Sequence, residues 1–282
     1  MIKLYTVCAC RSDLIELQLQ SFKKHLKDDF EFIVFNNAQL KVRPETYINI
    51  NRVCNDLGLK VIDVKRDQDL ADRCQVFEPR FPIFNYKGEY STDGVGNEYS
   101  LCWAWENFIS KEKDMVCLMH SDTFLINDLK PSDYLKDYDL CYIPQARPGI
   151  REYMWEVFVL MNMSRLPDPE TMCWMGGFMT PEIAGDTSCV TSRYLDEHRD
   201  LKIYHVPSEV YLNDSSVGFS SRPVYEVLFF DDKPTVLHYT SASNWDFQSQ
   251  EFHRLKTEWL KNILLLDSGL SGIQIKSSTA DL

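Results

Sequence analysis

Two short stretches, far apart in the chain, carry residue types able to hold a divalent cation. The first runs from Met115 to Ile126 (MVCLMHSDTFLI), an apolar segment that delivers His120 and Asp122 at a polar tip. Side chains alternate along a strand, so this imidazole and carboxylate share a face while Ser121 points away. Such a pair at a strand end can grip one ion, and its mixed nitrogen and oxygen donors suit Mn²⁺ better than Mg²⁺ or Ca²⁺, which prefer all-oxygen shells. An exposed turn that only caps the following segment is the alternative. The second stretch, Thr235 to Asp246 (TVLHYTSASNWD), ends an apolar strand at His238 and continues into a tract dense in hydroxyl and amide groups. Ser241, Ser243, Asn244, the indole N–H of Trp245 and backbone N–H groups can donate to phosphate oxygens. A capping turn before a last helix, with His238 a hydrogen-bonded core residue, is the competing explanation.

The elements that must position these tips follow from hydrophobic spacing. Ile2 to Ala9 predicts a strand; Ile15, Leu19, Phe22 and Leu26 predict a helix begun by Ser12 and Asp13; Phe30 to Phe35 predicts a second strand. A helix from Pro44 to Leu57, stopped by Gly58, and a strand from Lys60 to Val64 complete a βαβαβ order, which implies a parallel sheet with right-handed crossovers. After an irregular stretch from Arg66 to Thr92, Asp93-Gly-Val-Gly opens a helix with Leu101, Cys102, Trp105, Phe108 and Ile109 on its apolar face. Asp114 to Met119 then predicts a central strand, and in open parallel sheets ligands sit beyond the carboxyl ends of strands. The second half is less regular. Strands are expected at Asp139 to Ile143, Ile203 to Pro207 and Thr235 to His238, with an aromatic and Met-rich segment from Tyr153 to Met163 and a loop from Cys173 to Phe178. A final helix should bury Phe252, Leu255, Trp259, Ile263 and Leu266.

At 282 residues, with 44% apolar residues, the chain is long enough for one full core. Residues 1–267 are expected to form one domain of two parts, 1–126 and 127–267; 268–282 should be a flexible tail. The net charge of −12 argues against nucleic acid or an anionic membrane as partner, because the long-range field repels both. A small anionic ligand remains compatible if a bound cation neutralises it locally. No run of about 20 apolar residues is present to span a bilayer, and the start lacks the pattern of a signal peptide, so a soluble, cytoplasmic protein is expected. Nine cysteines without a CxxC pair read as reduced, mostly buried thiols.

In the order of these features the chain resembles the GT-A glycosyltransferases over about residues 2 to 265. In that family a DxD motif after a hydrophobic strand binds a divalent ion that bridges the donor diphosphate. Here His120 stands in place of the first Asp and Asp122 is the surviving carboxylate. The resemblance implies a GT-A-like (Rossmann-like) α/β fold, a mostly parallel central sheet flanked by helices, and transfer of a sugar from a UDP- or GDP-type donor to a glycan or other hydroxyl acceptor. It further implies a metal site of His120, Asp122 and His238, with Asp122 also central to catalysis. Thr6, Ala9, Arg11, Asp67, Gly94, Asn97 and Ser121 would lie on the donor side with Ser241, Ser243, Asn244 and Trp245. Trp174, Gly176 and Gly177 would line the acceptor wall.

An inverting reaction would also need a carboxylate base, for which Glu182, Asp186, Glu209 and Asp214 are the candidates. A retaining reaction needs none. Two rival classes stand beside this reading. A sugar nucleotidyltransferase would be expected to carry a Gly-rich loop after the first strand, and Cys8-Ala-Cys-Arg-Ser12 has no glycine. A catalytically inactive carbohydrate- or nucleotide-binding protein on the same fold is the other, made reasonable by His120.

Overall fold

Strand β1 (Ile2–Cys8) sends Leu4 to one side of the sheet and Tyr5 to the other, and both side chains are buried. The same alternation recurs in β2 (Phe30–Asn36) and β4 (Met115–His120), where Ile33, Phe35, Val116 and Leu118 join the Tyr5 side and Phe32, Val34, Cys117 and Met119 join the Leu4 side. Strands buried on both faces read as continuous apolar runs, as these do. With β3 (Lys60–Asp63), β6 (Leu140–Arg147), β7 (Ile150–Asn162) and β8 (Ile203–His205) they form a seven-stranded sheet in the order β3-β2-β1-β4-β7-β6-β8. Neighbouring strands run parallel except at β7, which is antiparallel to both β4 and β6.

The computed structural model describes residues 1–80, 82–91, 93–178, 180, 182–183, 185–211, 225–239 and 250–265. Asp214, Ser241, Ser243, Asn244, Trp245 and the expected tail lie outside them. Helix α4 (Asp93–Asn107) covers the Tyr5 face through Trp103 and Trp105, while α1 (Ser12–His25) and α2 (Pro44–Asp56) cover the Leu4 face. A second, antiparallel sheet joins β5 (Thr123–Leu125), β11 (Lys233–His238), β10 (Tyr225–Phe230) and β9 (Ser208–Tyr211) in that order. Helix α1 also packs Leu14 and Leu17 into the core under this second sheet, where Leu260 and Leu264 of α7 (Gln250–Leu265) meet them. The result is a mostly parallel α/β sheet flanked by helices, the fold class expected from the sequence.

Four expectations are corrected. The stretch after Arg66 is not wholly irregular: it holds α3 (Gln68–Cys74), capped by Asp67, whose Oδ1 accepts the Leu70 N–H at 3.0 Å. The Met-rich segment is most of β7, hidden from periodicity because nearly every residue from Met154 to Met161 is buried. Ser12 and Asp13 do not cap α1; Arg11 holds the N-cap position without a side-chain cap bond, and Asp13 instead receives the Arg11 guanidinium. Of the expected face of α7, Leu266 and the Phe252 side chain lie outside what is described, and Leu255, Trp259 and Ile263 are half-buried; among the described side chains the buried ones are His253, Lys256, Thr257, Leu260 and Leu264. Three of the five buried positions are polar, so hydrophobic spacing selects the neighbouring stripe.

One helix residue fixes the tip that carries His120 and Asp122. Gln18 of α1 is fully buried and donates from Nε2 to the His120 carbonyl at 2.7 Å and to the Thr123 carbonyl at 2.8 Å. It thus satisfies two acceptors at a point where the chain leaves one sheet for the other. Replacing Gln18 by Leu strands both carbonyls in the interior. The expected cost is about 2–4 kcal/mol of stability, read by urea denaturation; a loss below about 0.5 kcal/mol would show that the tip does not need this clamp.

Candidate functional site

The two tips foreseen from sequence meet. Thr123 pairs with His238 across β5 and β11, and the Tyr239 N–H donates to the Asp122 carbonyl at 2.8 Å. These backbone bonds bring His120, Asp122 and His238 together, with one ligand-capable atom from each lying within 4.8 Å of the others. Asp122 Oδ1 is 3.8 Å from His120 Nδ1 and 3.4 Å from His238 Nε2. Two donors bound to one ion at about 2.1 Å stand about 3.0–3.4 Å apart, so Asp122 is already close to that spacing from each imidazole.

The far nitrogen of each imidazole is held by a carboxylate that sequence reasoning missed. His120 Nε2 lies 3.1 Å from Glu156 Oε1 on β7, and His238 Nδ1 lies 3.4 Å from Glu226 Oε2 on β10. Such carboxylate–imidazole pairs orient metal-ligating histidines and raise their basicity. Both carboxylates are nearly fully buried. A signal for them was present, since each is the one charge within a five-residue apolar run, Met154-Trp-Glu-Val-Phe158 and Val224-Tyr-Glu-Val-Leu228.

Charge within the site follows from burial and these neighbours. Burial works to raise the Asp122 pKa, yet the adjacent His238, His120 and Lys256 hold it well below the usual carboxylate range. For His238 burial works against the imidazolium, but Asp122 and Glu226 overcome it and push its pKa up to about 9. The donor set therefore fits a divalent cation: a buried carboxylate kept ionised and two oriented imidazoles, one of which must give up a proton to bind. Lys256 is buried behind the site, with its ammonium 4.0 Å from the centre of the Tyr239 ring, and burial lowers its pKa to about 7.

The donor-side residues are scattered differently. Ala9 lines a slot of about 50 Å³ with Asn37, Ala38, Gln39, Tyr90 and Gly96, at the carboxyl ends of β1 and β2. Asn97 is half-buried in α4, one residue beyond Gly96, and Gly94 is in that helix's first turn. Ser121 is half-buried at the tip itself. Thr6 is fully buried inside β1 and its hydroxyl has no partner among the described residues. Arg11, only 3% exposed, binds Asp13, Tyr239 and Thr257, which makes it a clamp between α1 and α7. Asp67 serves α3 as its cap.

On the acceptor side Trp174 is fully buried with its ring centre 5.3 Å from that of Trp105, which leaves no face for a sugar. Gly176 and Gly177 are held closely. A Cβ on Gly176 would stand 2.6 Å from Glu98 Oε1 and 2.7 Å from the Asp186 carbonyl, and Gly177 has a φ of 101° with the Phe77 carbonyl against it. Only glycine tolerates both demands. Glu182 is exposed beside Thr180, Asp186 faces Arg147 at 3.3 Å, and Glu209 is exposed on β9, out of phase with Val210, Glu226 and His238 across the small sheet. The structure does not bring these three carboxylates to the metal-ligand cluster.

Glu98 on α4 is a further carboxylate unforeseen from sequence; its Oε2 accepts the Gly176 N–H at 3.1 Å. Burial pushes its pKa up to about 7; the Gly176 bond works the other way, and Glu156 and Glu78 add to the rise. A carboxyl raised from 4.5 to about 7 binds its proton more tightly in the folded chain. Its contribution to stability is complete below about pH 4.5 and is lost as pH rises to about 7. Glu98→Gln keeps an acceptor for Gly176 and removes that loss. The variant should exceed the parent in stability at pH 8 by up to about 3 kcal/mol and match it near pH 4.5. Urea unfolding at both pH values checks this, and a difference independent of pH would contradict it.

No protein-family profile matches the chain, and no curated protein matches its sequence. Among solved structures it is similar to the galactosyltransferase LgtC in complex with donor and acceptor sugar analogs, at 12% identity over 98% of each chain with a TM-score of 0.47. An active-site mutant of LgtC gives 11% identity, 98% of each chain and a TM-score of 0.46. The WbbM bifunctional glycosyltransferase in its apo form gives 12% identity over 73% of this chain and 38% of that one, with a TM-score of 0.40. Likeness at this level assigns no activity.

Proposed function

We propose that the chain is a glycosyltransferase that moves a sugar from a nucleoside-diphosphate donor of UDP or GDP type to a hydroxyl of a glycan or other acceptor, aided by a divalent ion. The observation that carries this reading is the convergence of His120 Nδ1, Asp122 Oδ1 and His238 Nε2 at the carboxyl end of the central sheet. A three-ligand protein site leaves coordination positions open to substrate oxygens. The ion, when bound, supplies positive charge against the diphosphate that departs as the anomeric bond breaks. Mn²⁺ is proposed over Mg²⁺, because two imidazoles and one carboxylate are a borderline rather than a hard donor set.

The remaining parts distribute around that point. The slot beside Ala9 and Gly96 would take the nucleoside end, and the hydroxyl-rich tract from Ser241 to Trp245 would hold phosphate. The Gly176-Gly177 loop would face the acceptor. For an inverting reaction Glu98 joins Glu182, Asp186 and Glu209 as a base, and its pKa near neutrality suits proton removal at physiological pH. No nucleic-acid partner is proposed for a chain of net charge −12.

Incubation with a panel of UDP- and GDP-sugars, with and without Mn²⁺, tests the reading through release of nucleoside diphosphate. Release from one donor, abolished by EDTA and lowered at least about 100-fold by Asp122→Asn, is the expected result. Release of pyrophosphate would point to nucleotidyl transfer instead. Silence across the panel, despite stabilisation by nucleotide in a thermal shift, would mark a binding protein.

A further inference from the structure

Glu156 has two different partners, one on each oxygen. Oε1 lies 3.1 Å from His120 Nε2, and Oε2 accepts the Ser188 hydroxyl at 2.6 Å. Ser188 is fully buried and adopts a left-handed backbone with φ of 61°, a conformation that costs a non-glycine residue free energy and persists only where its surroundings hold it. What holds it is β7. The Ser188 hydroxyl also lies 2.6 Å from the Met154 carbonyl, and the Thr191 hydroxyl receives the Met154 N–H at 3.0 Å while donating to the Ser188 carbonyl at 2.8 Å.

The residues just before Ser188 press on the glycine loop. A Cβ at Gly176 would meet the Asp186 carbonyl at 2.7 Å and the Thr187 Cα at 2.9 Å. A continuous chain of close contacts therefore runs from His120 through Glu156 to the Ser188 turn and on to Gly176. The Ser188 turn is the strained element in it, held left-handed by its bonds to Glu156 and the Met154 carbonyl.

We propose that Glu156 is the positioning residue that joins ion binding at His120 to the order of the Ser188 turn, so that a bound cation tightens the acceptor-side loop and a loosened turn weakens the cation. The inference rests on the metal site of the proposed function. By turning the His120 ring so that Nδ1 faces Asp122, Glu156 would prepare the site for the ion. Through Ser188 the same carboxylate keeps residues 186–192 against β7. Linkage makes the two effects reciprocal.

Mn²⁺ alone is the probe, followed by loss of its free electron paramagnetic resonance signal, with amide hydrogen exchange of residues 186–192 measured on the same samples. In the parent protein Mn²⁺ should bind and slow exchange in that segment. Glu156→Gln should weaken Mn²⁺ by about 10–100-fold, the usual effect of losing a partner behind a metal ligand, and abolish the Mn²⁺-dependent protection. Ser188→Ala, which leaves His120 and Glu156 in place, should lose the protection with a smaller effect on affinity, and it serves as the test if Glu156→Gln does not fold. Equal Mn²⁺ affinity in the parent and Glu156→Gln, or exchange of 186–192 indifferent to Mn²⁺, overturns the inference while leaving the metal site standing. A parent protein that binds no Mn²⁺ removes the metal reading and this inference together.

Discussion

Thr123 pairs with His238, and one residue away on either strand the Tyr239 N–H reaches the Asp122 carbonyl. These bonds tie the strand leaving the central sheet to a strand more than a hundred residues later, and every property of the site depends on them. Without them Asp122 would sit at a bare turn, where water would screen its charge. With them the carboxylate is buried between two imidazoles. That burial makes its ionisation depend on its neighbours, since an unpaired carboxylate in the interior would take up a proton. Gln18 serves the same junction from the other side, supplying donors to the two carbonyls that the change of sheet leaves without partners.

The electrostatics of this junction are unusual for so acidic a chain. Around Asp122 the fold gathers His120, His238 and, behind them, Lys256 and Arg11, the last two almost wholly buried. Burying cations costs free energy unless their charge is answered, and here Asp122, Asp13 and the Tyr239 ring answer part of it. Two more carboxylates, Glu156 and Glu226, face the outer nitrogens of the histidines. The alternation of carboxylate, imidazole and carboxylate is what a cation site needs. It also explains why a chain of net charge −12 need not repel a diphosphate, because the field near the junction differs from the field of the whole molecule.

Much of this was legible in the sequence where periodicity and chemistry coincide. The βαβαβ start, α4 and the β4 tip follow from apolar spacing, and the pairing of His120 and Asp122 follows from strand alternation. The convergence with His238 came from resemblance rather than spacing, because a contact across so many residues leaves no local trace. Three kinds of feature stayed hidden for physical reasons. The β7 strand is buried on both faces and so shows no alternation. Helix α7 buries polar residues, which shifts its buried face away from its apolar stripe. Arg11 and Trp174 have the residue types of ligand-binding groups, but the tertiary structure spends one on a clamp between helices and the other on the core.

Glu98, Glu156 and Glu226 show what the sequence offered and spacing rules do not weigh. Glu156 and Glu226 sit in apolar runs of β7 and β10 and Glu98 is half-buried on α4, and an ionisable group can be kept in such places only if something in the fold compensates it. For Glu156 and Glu226 the compensation is a histidine of the His120–Asp122–His238 cluster. For Glu98 it is partial: burial and two neighbouring carboxylates outweigh the Gly176 N–H and the Thr187 side chain, which leaves its pKa raised. The three carboxylates thus divide by what faces them. Two are fixed in the service of the histidines, and the third stands beside the glycine loop with a proton affinity near neutrality. That difference in surroundings separates a group able to orient a ligand from one able to exchange a proton with it.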